Sequence, residues 1–221
     1  MTRIAVIFDM DGVLVDSYHA HYESWKQLYD QLGVAYTEET FTVDFGRTSR
    51  DILRRTLGDG LTDERLSELD GRKEAIYRDI LREAFPAMDG AGKLIRSLAA
   101  DGFRLAIGSS GPPENVALAL ERLPGAECFN ATVTGADVTR GKPDPQVFLL
   151  AAERLGVPAA SCAVVEDAIH GITAAQRAGM AAIALTGTLQ RDELAAADAV
   201  VDSLRQLSAE RIRALIATRA N

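Results

Sequence analysis

The chain has 221 residues, 47% of them hydrophobic and 25% charged, and its 24 basic and 32 acidic side chains give a net charge of −8. This ordinary globular mixture excludes a disordered tail, a fibrous repeat and a disulfide scaffold, and the length suits one large domain or two small ones. The acidic balance argues against non-specific nucleic-acid or anionic-membrane binding, so neither is expected as a partner. A small anionic substrate stays open, because a few placed cations decide that locally. Ile4 to Phe8 is a short apolar run ending in Asp9, the pattern of a strand buried on both faces of a parallel sheet. The pattern then turns helical. Tyr22, Trp25, Leu28, Tyr29 and Leu32 share a helical face with Gly33 as a stop. Thr48 and Asp51 suggest a capping box opening a helix that Gly58 ends. Leu66, Leu69, Ile76, Ile80 and Leu81 mark a longer helix ending before Pro86.

Beyond Pro86, strand and helix alternate. A helix carries Leu94, Ile95 and Leu98, and a strand runs from Phe103 to Gly108. Pro112 and Pro113 open the next helix, where a missing N–H costs little. Ala131 to Thr134 reads as a strand, Pro145 to Leu155 as a helix closed by Gly156, and Cys162 to Val165 as a strand. A helix to Ala178, strands at Ala181–Leu185 and Ala199–Val201, and a helix from about Ser208 complete the chain. This alternation predicts an α/β fold, a Rossmann-like doubly wound parallel sheet. A small all-helical domain is inserted after the first strand. The expected boundaries are 1–15 with 87–221 for the core and 16–86 for the helical insert. Cys128 and Cys162 lie among apolar or small residues without a C-x-x-C pair. They read as inert thiols suited to a reducing compartment. The first apolar run is too short for a signal sequence, and none approaches the roughly 18 residues of a membrane span. A cytoplasmic chain is expected, with monomer as the default state.

Ligands in open α/β sheets bind beyond the carboxyl ends of the strands. There the sequence offers Asp9-Met10-Asp11-Gly12, then Ser109-Ser110-Gly111, then Gly141-Lys142-Pro143-Asp144, then Glu166-Asp167. Singly, each has a plain structural reading: an Asp at a strand end forms turns or caps, Ser109-Ser110 caps a helix, Lys142 is a solvated charge. Their joint occurrence at successive strand ends is far less expected by chance. Clustered acids repel one another unless a cation sits among them, and oxygen donors suit a hard ion such as Mg²⁺.

Asp9-x-Asp11-Gly12-Val13-Leu14-x-Asp16-Ser17, Ser109 after a strand, Gly141-Lys142-Pro143 and Glu166-Asp167 resemble, in order, the four motifs of the haloacid dehalogenase superfamily. The likeness covers nearly the whole chain. The insert resembles the small cap of the β-phosphoglucomutase-like branch, which also contains sugar-phosphate phosphatases. The resemblance implies that Asp9 is the nucleophile forming an aspartyl-phosphate and Asp11 the general acid and base. That role for Asp11 argues against dehalogenation, which has no leaving oxygen to protonate. It implies Mg²⁺ held by Asp9, the Asp11 backbone carbonyl and Asp167, with Glu166 in support. Ser109, the Ser110 amide and Gly111 would bind the transferring group, and Lys142 would neutralise its spreading charge.

In the insert, His21 resembles a cap-hinge histidine of the mutases, and a packed or surface histidine is the alternative. Arg50 matches a mutase arginine that grips a distal phosphate. Arg47 and Lys73 are further candidates for a second anionic group, with a solvated face as the alternative for the arginines and core packing for Trp25. Two departures weaken a mutase assignment. The second motif continues as Pro112-Pro113-Glu114 with no lysine, and Phe45 stands before Gly46 where a mutase has lysine. The expectation is a Mg²⁺-dependent phosphatase of a small phosphorylated metabolite, most readily a sugar phosphate. A β-phosphoglucomutase-like isomerase is the alternative. A receiver-type phosphorylation switch also gathers acids, a hydroxyl and a lysine, but is shorter and lacks an insert.

Overall fold

The computed structural model describes residues 3–44 and 46–219. The chain divides into two compact units, Met1–Asp16 with Pro86–Asn221, and Ser17–Phe85. The first is built on six parallel strands: β1 (Ala5–Phe8), β2 (Arg104–Gly108), β3 (Ala131–Val133), β4 (Cys162–Glu166), β5 (Ala181–Leu185) and β6 (Ala199–Val201). Their order is β3-β2-β1-β4-β5-β6. β1 pairs in parallel with β2 and β4, Phe8 standing opposite Ile107 and Val165. The order reverses beside β1, so a crevice forms at the carboxyl ends of β1 and β4. Full burial of β1 explains its uninterrupted apolar sequence.

Helices α5 (Ala91–Ala100), α6 (Pro113–Arg122), α7 (Gln146–Leu155), α8 (Ile169–Arg177) and α9 (Ala209–Arg219) belong to this unit. Ala5 and Ile7 join Phe148, Ala151, Leu155, Ile172 and Ala175 from α7 and α8 in one core. Val6 and Phe8, of opposite parity, serve the other face, where α5 touches β2 and α9 touches β4. The Cys162 thiol donates to the Pro158 carbonyl at 3.3 Å, and burial pushes it up to about 12. Cys128 is a free thiol.

The second unit holds α1 (Tyr18–Gln31), α2 (Glu38–Asp44), α3 (Ser49–Leu57) and α4 (Asp63–Glu83). Trp25, Leu28, Tyr29, Phe41, Ile52, Leu53, Leu66 and Leu69 form its core. Thr48 caps α3 by accepting from the Asp51 N–H at 3.2 Å while its hydroxyl donates to the Asp51 carboxylate at 2.7 Å. Gly33 takes φ +70° just past α1, a conformation open to glycine. No helix among the described residues is long and apolar enough to cross a membrane.

Several elements differ in detail from the sequence reading. α2 was not expected; Phe41 is the apolar residue it buries, so no periodic stripe announces it. Phe103 lies before β2, because its N–H closes α5 through the Leu98 carbonyl. Thr134 lies past β3, because its N–H turns to the Asp137 carboxylate at 2.8 Å. Glu166 falls inside β4, opposite Ala184, instead of following it.

Candidate active site

Asp9 emerges from β1 with its N–H still paired to the Val165 carbonyl at 2.9 Å. The N–H groups of Leu14 and Val15 then converge on the Met10 carbonyl at 2.8 and 3.0 Å, making a tight turn with Met10 in the core. Gly12 sits at φ +73°, and a Cβ there would lie 2.1 Å from Asp167 Oδ2. The Asp167 carboxylate therefore rests against the backbone of the Asp11–Gly12 turn, bringing the ends of β1 and β4 together.

The end of β2 supplies the second side. The Ser109 N–H reaches the Val133 carbonyl at 3.0 Å, and the Gly111 N–H donates to Ser109 Oγ at 3.0 Å. That leaves the Ser109 hydroxyl proton available for an acceptor. A Cβ at Gly111 would lie 3.2 Å from Ser109 Oγ and 3.9 Å from Asp11 Oδ2, so this turn and Asp11 border one small space. Ser110 is exposed.

Lys142 binds the site together. Its Nζ donates to Asp9 Oδ1 at 2.5 Å and to Glu166 Oε1 at 2.7 Å, and lies 4.9 Å over the Phe148 ring. Glu166 is 2% exposed, and its Oε2 accepts from the N–H groups of Asp167 and Ala168, both at 2.8 Å. The backbone of α8 closes on this carboxylate, where a Cβ at Gly171 would fall 1.8 Å from Glu166 Oε1. Burial pushes the Asp9 carboxyl up to about 7; Lys142 pulls it down, while Glu166 and Asp11 raise it further. Burial, then the charges of Glu166 and Asp9, raise Asp167 well above the carboxylate range. Burial opposes the Lys142 charge, but Asp9 and Glu166 outweigh it and raise its pKa. Asp9 and Glu166 thus share one ammonium with Asp167 close by, and crowding the three carboxyls together disfavours their ionised forms. No three His, Cys, Asp or Glu side chains among the described residues are arranged as a metal-ligand set.

All eight core candidates, Asp9, Asp11, Ser109, Ser110, Gly111, Lys142, Glu166 and Asp167, lie at these strand ends. The other four lie in the helical unit. His21 on α1 stacks on Tyr77 of α4, with ring centroids 4.2 Å apart, and its Nδ1 is 2.9 Å from Lys73 Nζ. Lys73 is 2% exposed, bonds to Glu74 at 2.8 Å and lies 5.5 Å over Trp25 and 5.1 Å over Tyr77. Trp25 packs in the core, as its alternative reading had it. Arg50 bonds to Asp63 at 2.7 Å and Ser67 at 3.4 Å. Arg47, half exposed, is 3.9 Å from the buried Asp44. Phe45 lies outside the described residues. At the second motif, Pro112 caps α6 and Glu114 is exposed.

Sequence reasoning passed over Phe148, Glu74 and Gly171. The last carried a signal, a glycine inside an apolar helical pattern, which marks a close approach.

The sequence model of the haloacid dehalogenase-like hydrolases matches residues 5–179. β-Phosphoglucomutase of Bacillus subtilis is 32% identical over 213 residues, covering 93% of this chain and 92% of that protein. Validoxylamine A 7'-phosphate phosphatase of Streptomyces hygroscopicus subsp. limoneus is 31% identical over 207 residues, covering 94% and 96%. Among solved structures, a family IA haloacid dehalogenase hydrolase from Entamoeba histolytica superposes with a TM-score of 0.90 at 27% identity, covering 98% of this chain and all of that one. Strand ends that gather Asp9, Ser109, Lys142 and Asp167, in a chain matched over most of its length, make it a member of the haloacid dehalogenase-like hydrolase family.

Proposed function

We propose that this protein is a Mg²⁺-dependent phosphatase that hydrolyses a small phosphorylated metabolite, a sugar phosphate, through an aspartyl-phosphate on Asp9. The observation that carries the reading is the Lys142 ammonium held between Asp9 and Glu166 at 2.5 and 2.7 Å, with Asp11 and Ser109 bordering the adjoining space.

In the first half-reaction an Asp9 oxygen attacks phosphorus in line and the bond to the ester oxygen breaks. Asp11 donates its proton to the departing oxygen, so the alcohol leaves neutral. In the second, Asp11 takes a proton from water as that water attacks the phosphoryl group. Inorganic phosphate leaves and Asp9 is restored. The Ser109 hydroxyl and the Ser110 backbone N–H hold the transferring group. Lys142 offsets the charge that spreads onto its oxygens. The crowded oxygen donors fit a hard cation, which Asp9, the Asp11 backbone carbonyl and Asp167 would hold. Glu166 supports it indirectly, since its oxygens are engaged by Lys142 and two backbone N–H groups. When bound, the ion supplies positive charge between the Asp9 carboxylate and the phosphoryl oxygens. The helical unit serves as a cap that excludes water, with Arg47 and Arg50 as contacts for a second anionic group and His21 with Lys73 as a linked pair.

The identity to a β-phosphoglucomutase favours a second reading, phosphate transfer between hydroxyls of one sugar. Against it stands the Pro112-Pro113-Glu114 opening of α6, which presents no lysine to a second phosphate. A panel of sugar phosphates with Mg²⁺, including β-glucose 1-phosphate with a trace of its bisphosphate, separates the two. Released phosphate and isomerised sugar phosphate are followed together. Phosphate release that a chelator stops, and that Asp9→Asn lowers by about 10⁴-fold or more, is expected. Isomer without net phosphate would replace the phosphatase by the mutase.

A further inference from the structure

The turn that is to hold the phosphoryl group is backed by a segment outside the four motifs. Directly after β3, the Gly135 N–H donates to the Gly111 carbonyl at 2.8 Å. A Cβ at Gly135 would lie 2.4 Å from the Ser110 carbonyl oxygen and 3.3 Å from that of Gly111. The contact is backbone on backbone, and no flexible side chain can yield there. Gly135 is itself fixed. The N–H and hydroxyl of Thr134 both donate to Asp137 Oδ2 at 2.8 Å. Arg154 of α7 donates to Asp137 Oδ1 at 2.6 Å and to the Thr132 carbonyl. Arg154 and the Thr134 donors hold the Asp137 carboxyl down at about 2, so it stays ionised and braced at neutral pH.

We infer that Thr134, Gly135, Asp137 and Arg154 form a positioning strut that sets the Ser109–Gly111 turn for the phosphoryl group. This rests on the phosphatase reading. A strut of this kind touches no substrate; it acts by fixing where the Ser109 hydroxyl and the Ser110 N–H point, the Gly111 N–H being engaged by Ser109 Oγ. Bulk at Gly135 moves that turn against Asp11, on the far side of the same space. Loss of the Asp137 charge frees Gly135 with less damage, because asparagine keeps one acceptor for Thr134.

The test compares wild type, Gly135→Ala, Asp137→Asn and Gly187→Ala with Mg²⁺ and p-nitrophenyl phosphate. Gly187 has open space at its Cβ position and serves as the control. The readouts are kcat and KM, the inhibition constant of inorganic phosphate, and the thermal midpoint. A misplacement near 1 Å predicts a fall of about 100-fold in kcat/KM for Gly135→Ala. A weakened charge-assisted network predicts an inhibition constant for phosphate raised about tenfold in Asp137→Asn. Gly187→Ala stays at wild-type values. A merely structural strut would lower the thermal midpoint and leave phosphate inhibition of the folded enzyme unchanged; that result overturns the inference. Should Gly135→Ala fail to fold, Asp137→Asn decides by the same two outcomes. A wild-type chain that neither hydrolyses the ester nor is bound by phosphate overturns both the functional reading and the strut. An active wild type with unaffected variants overturns the strut alone.

Discussion

Lys142 is buried between two carboxylates, and that pairing decides how its neighbours behave. Burial and mutual repulsion raise the Asp9 and Asp167 carboxyls despite that ammonium, so added positive charge at the cluster would favour their ionised forms. Asp11 borders the Ser109–Gly111 turn. Asp11→Asn is expected to slow both half-reactions, lowering kcat by about 10²–10⁴-fold. Single-turnover quench-flow with an alkyl ester such as a sugar phosphate, whose alcohol must leave protonated, checks this, and an unchanged rate would remove the acid–base assignment. The carboxylates of this site were legible as residue types at strand ends. Their hydrogen-bond partners were not, because these depend on how the folded strand ends place each oxygen. Lys73 shows the same limit in the helical unit: the sequence made it a candidate contact for a second anionic group, and its burial with His21, Glu74 and two rings could not be read there.

At the scale of the element, helix α8 and the exit of β3 carry the most information beyond sequence pattern. α8 leaves room at Gly171 for the Glu166 carboxylate. Gly171→Ala gains helix propensity but must displace that carboxylate from Lys142 or from the Asp167 N–H. A net destabilisation of about 1–3 kcal/mol is expected, with lower activity, read from urea unfolding and turnover together. A more stable, fully active variant would show that the carboxylate relocates without consequence. Asp137 gives a pH dependence. Its carboxyl is lowered to about 2, below the value of an unfolded chain. It therefore contributes stability at neutral pH, and that contribution is lost as pH falls from about 4 towards 2. The gap in urea midpoint between wild type and Asp137→Asn should narrow across that window; a constant gap would contradict the linkage. Strands such as β1 and β5, buried throughout, and helices with regular stripes were legible at this scale. α2 was not, since its stability comes from Phe41 in the core and Asp44 receiving the Tyr36 hydroxyl and Arg55, contacts invisible before the chain has folded.

For the whole molecule, the α/β class and the inserted helical unit followed from where the alternation of strand and helix begins. The adjacency of β1 and β4 followed only from the completed strand order. Because that adjacency crowds acids, a bound divalent cation should couple to global stability. With Mg²⁺ at about 100 times its dissociation constant, stabilisation of about 2.7 kcal/mol is expected. Thermal scans with and without chelator at neutral pH measure it, and an unmoved midpoint would argue against cation binding at the cluster. The points where the helical unit departs and returns have their own consequence. The Asp16 N–H bonds to the Pro86 carbonyl, the Met88 N–H to the Leu14 carbonyl, and Val15 bridges Ala87 antiparallel. Seen from the sheet, everything between is the loop of a hairpin whose stems are already zipped. Closing such a loop grows harder only logarithmically with its length, by about 0.6 kcal/mol per doubling. This junction is a socket. An insert of another length there adds little to the cost of closure and leaves the register of the six strands untouched.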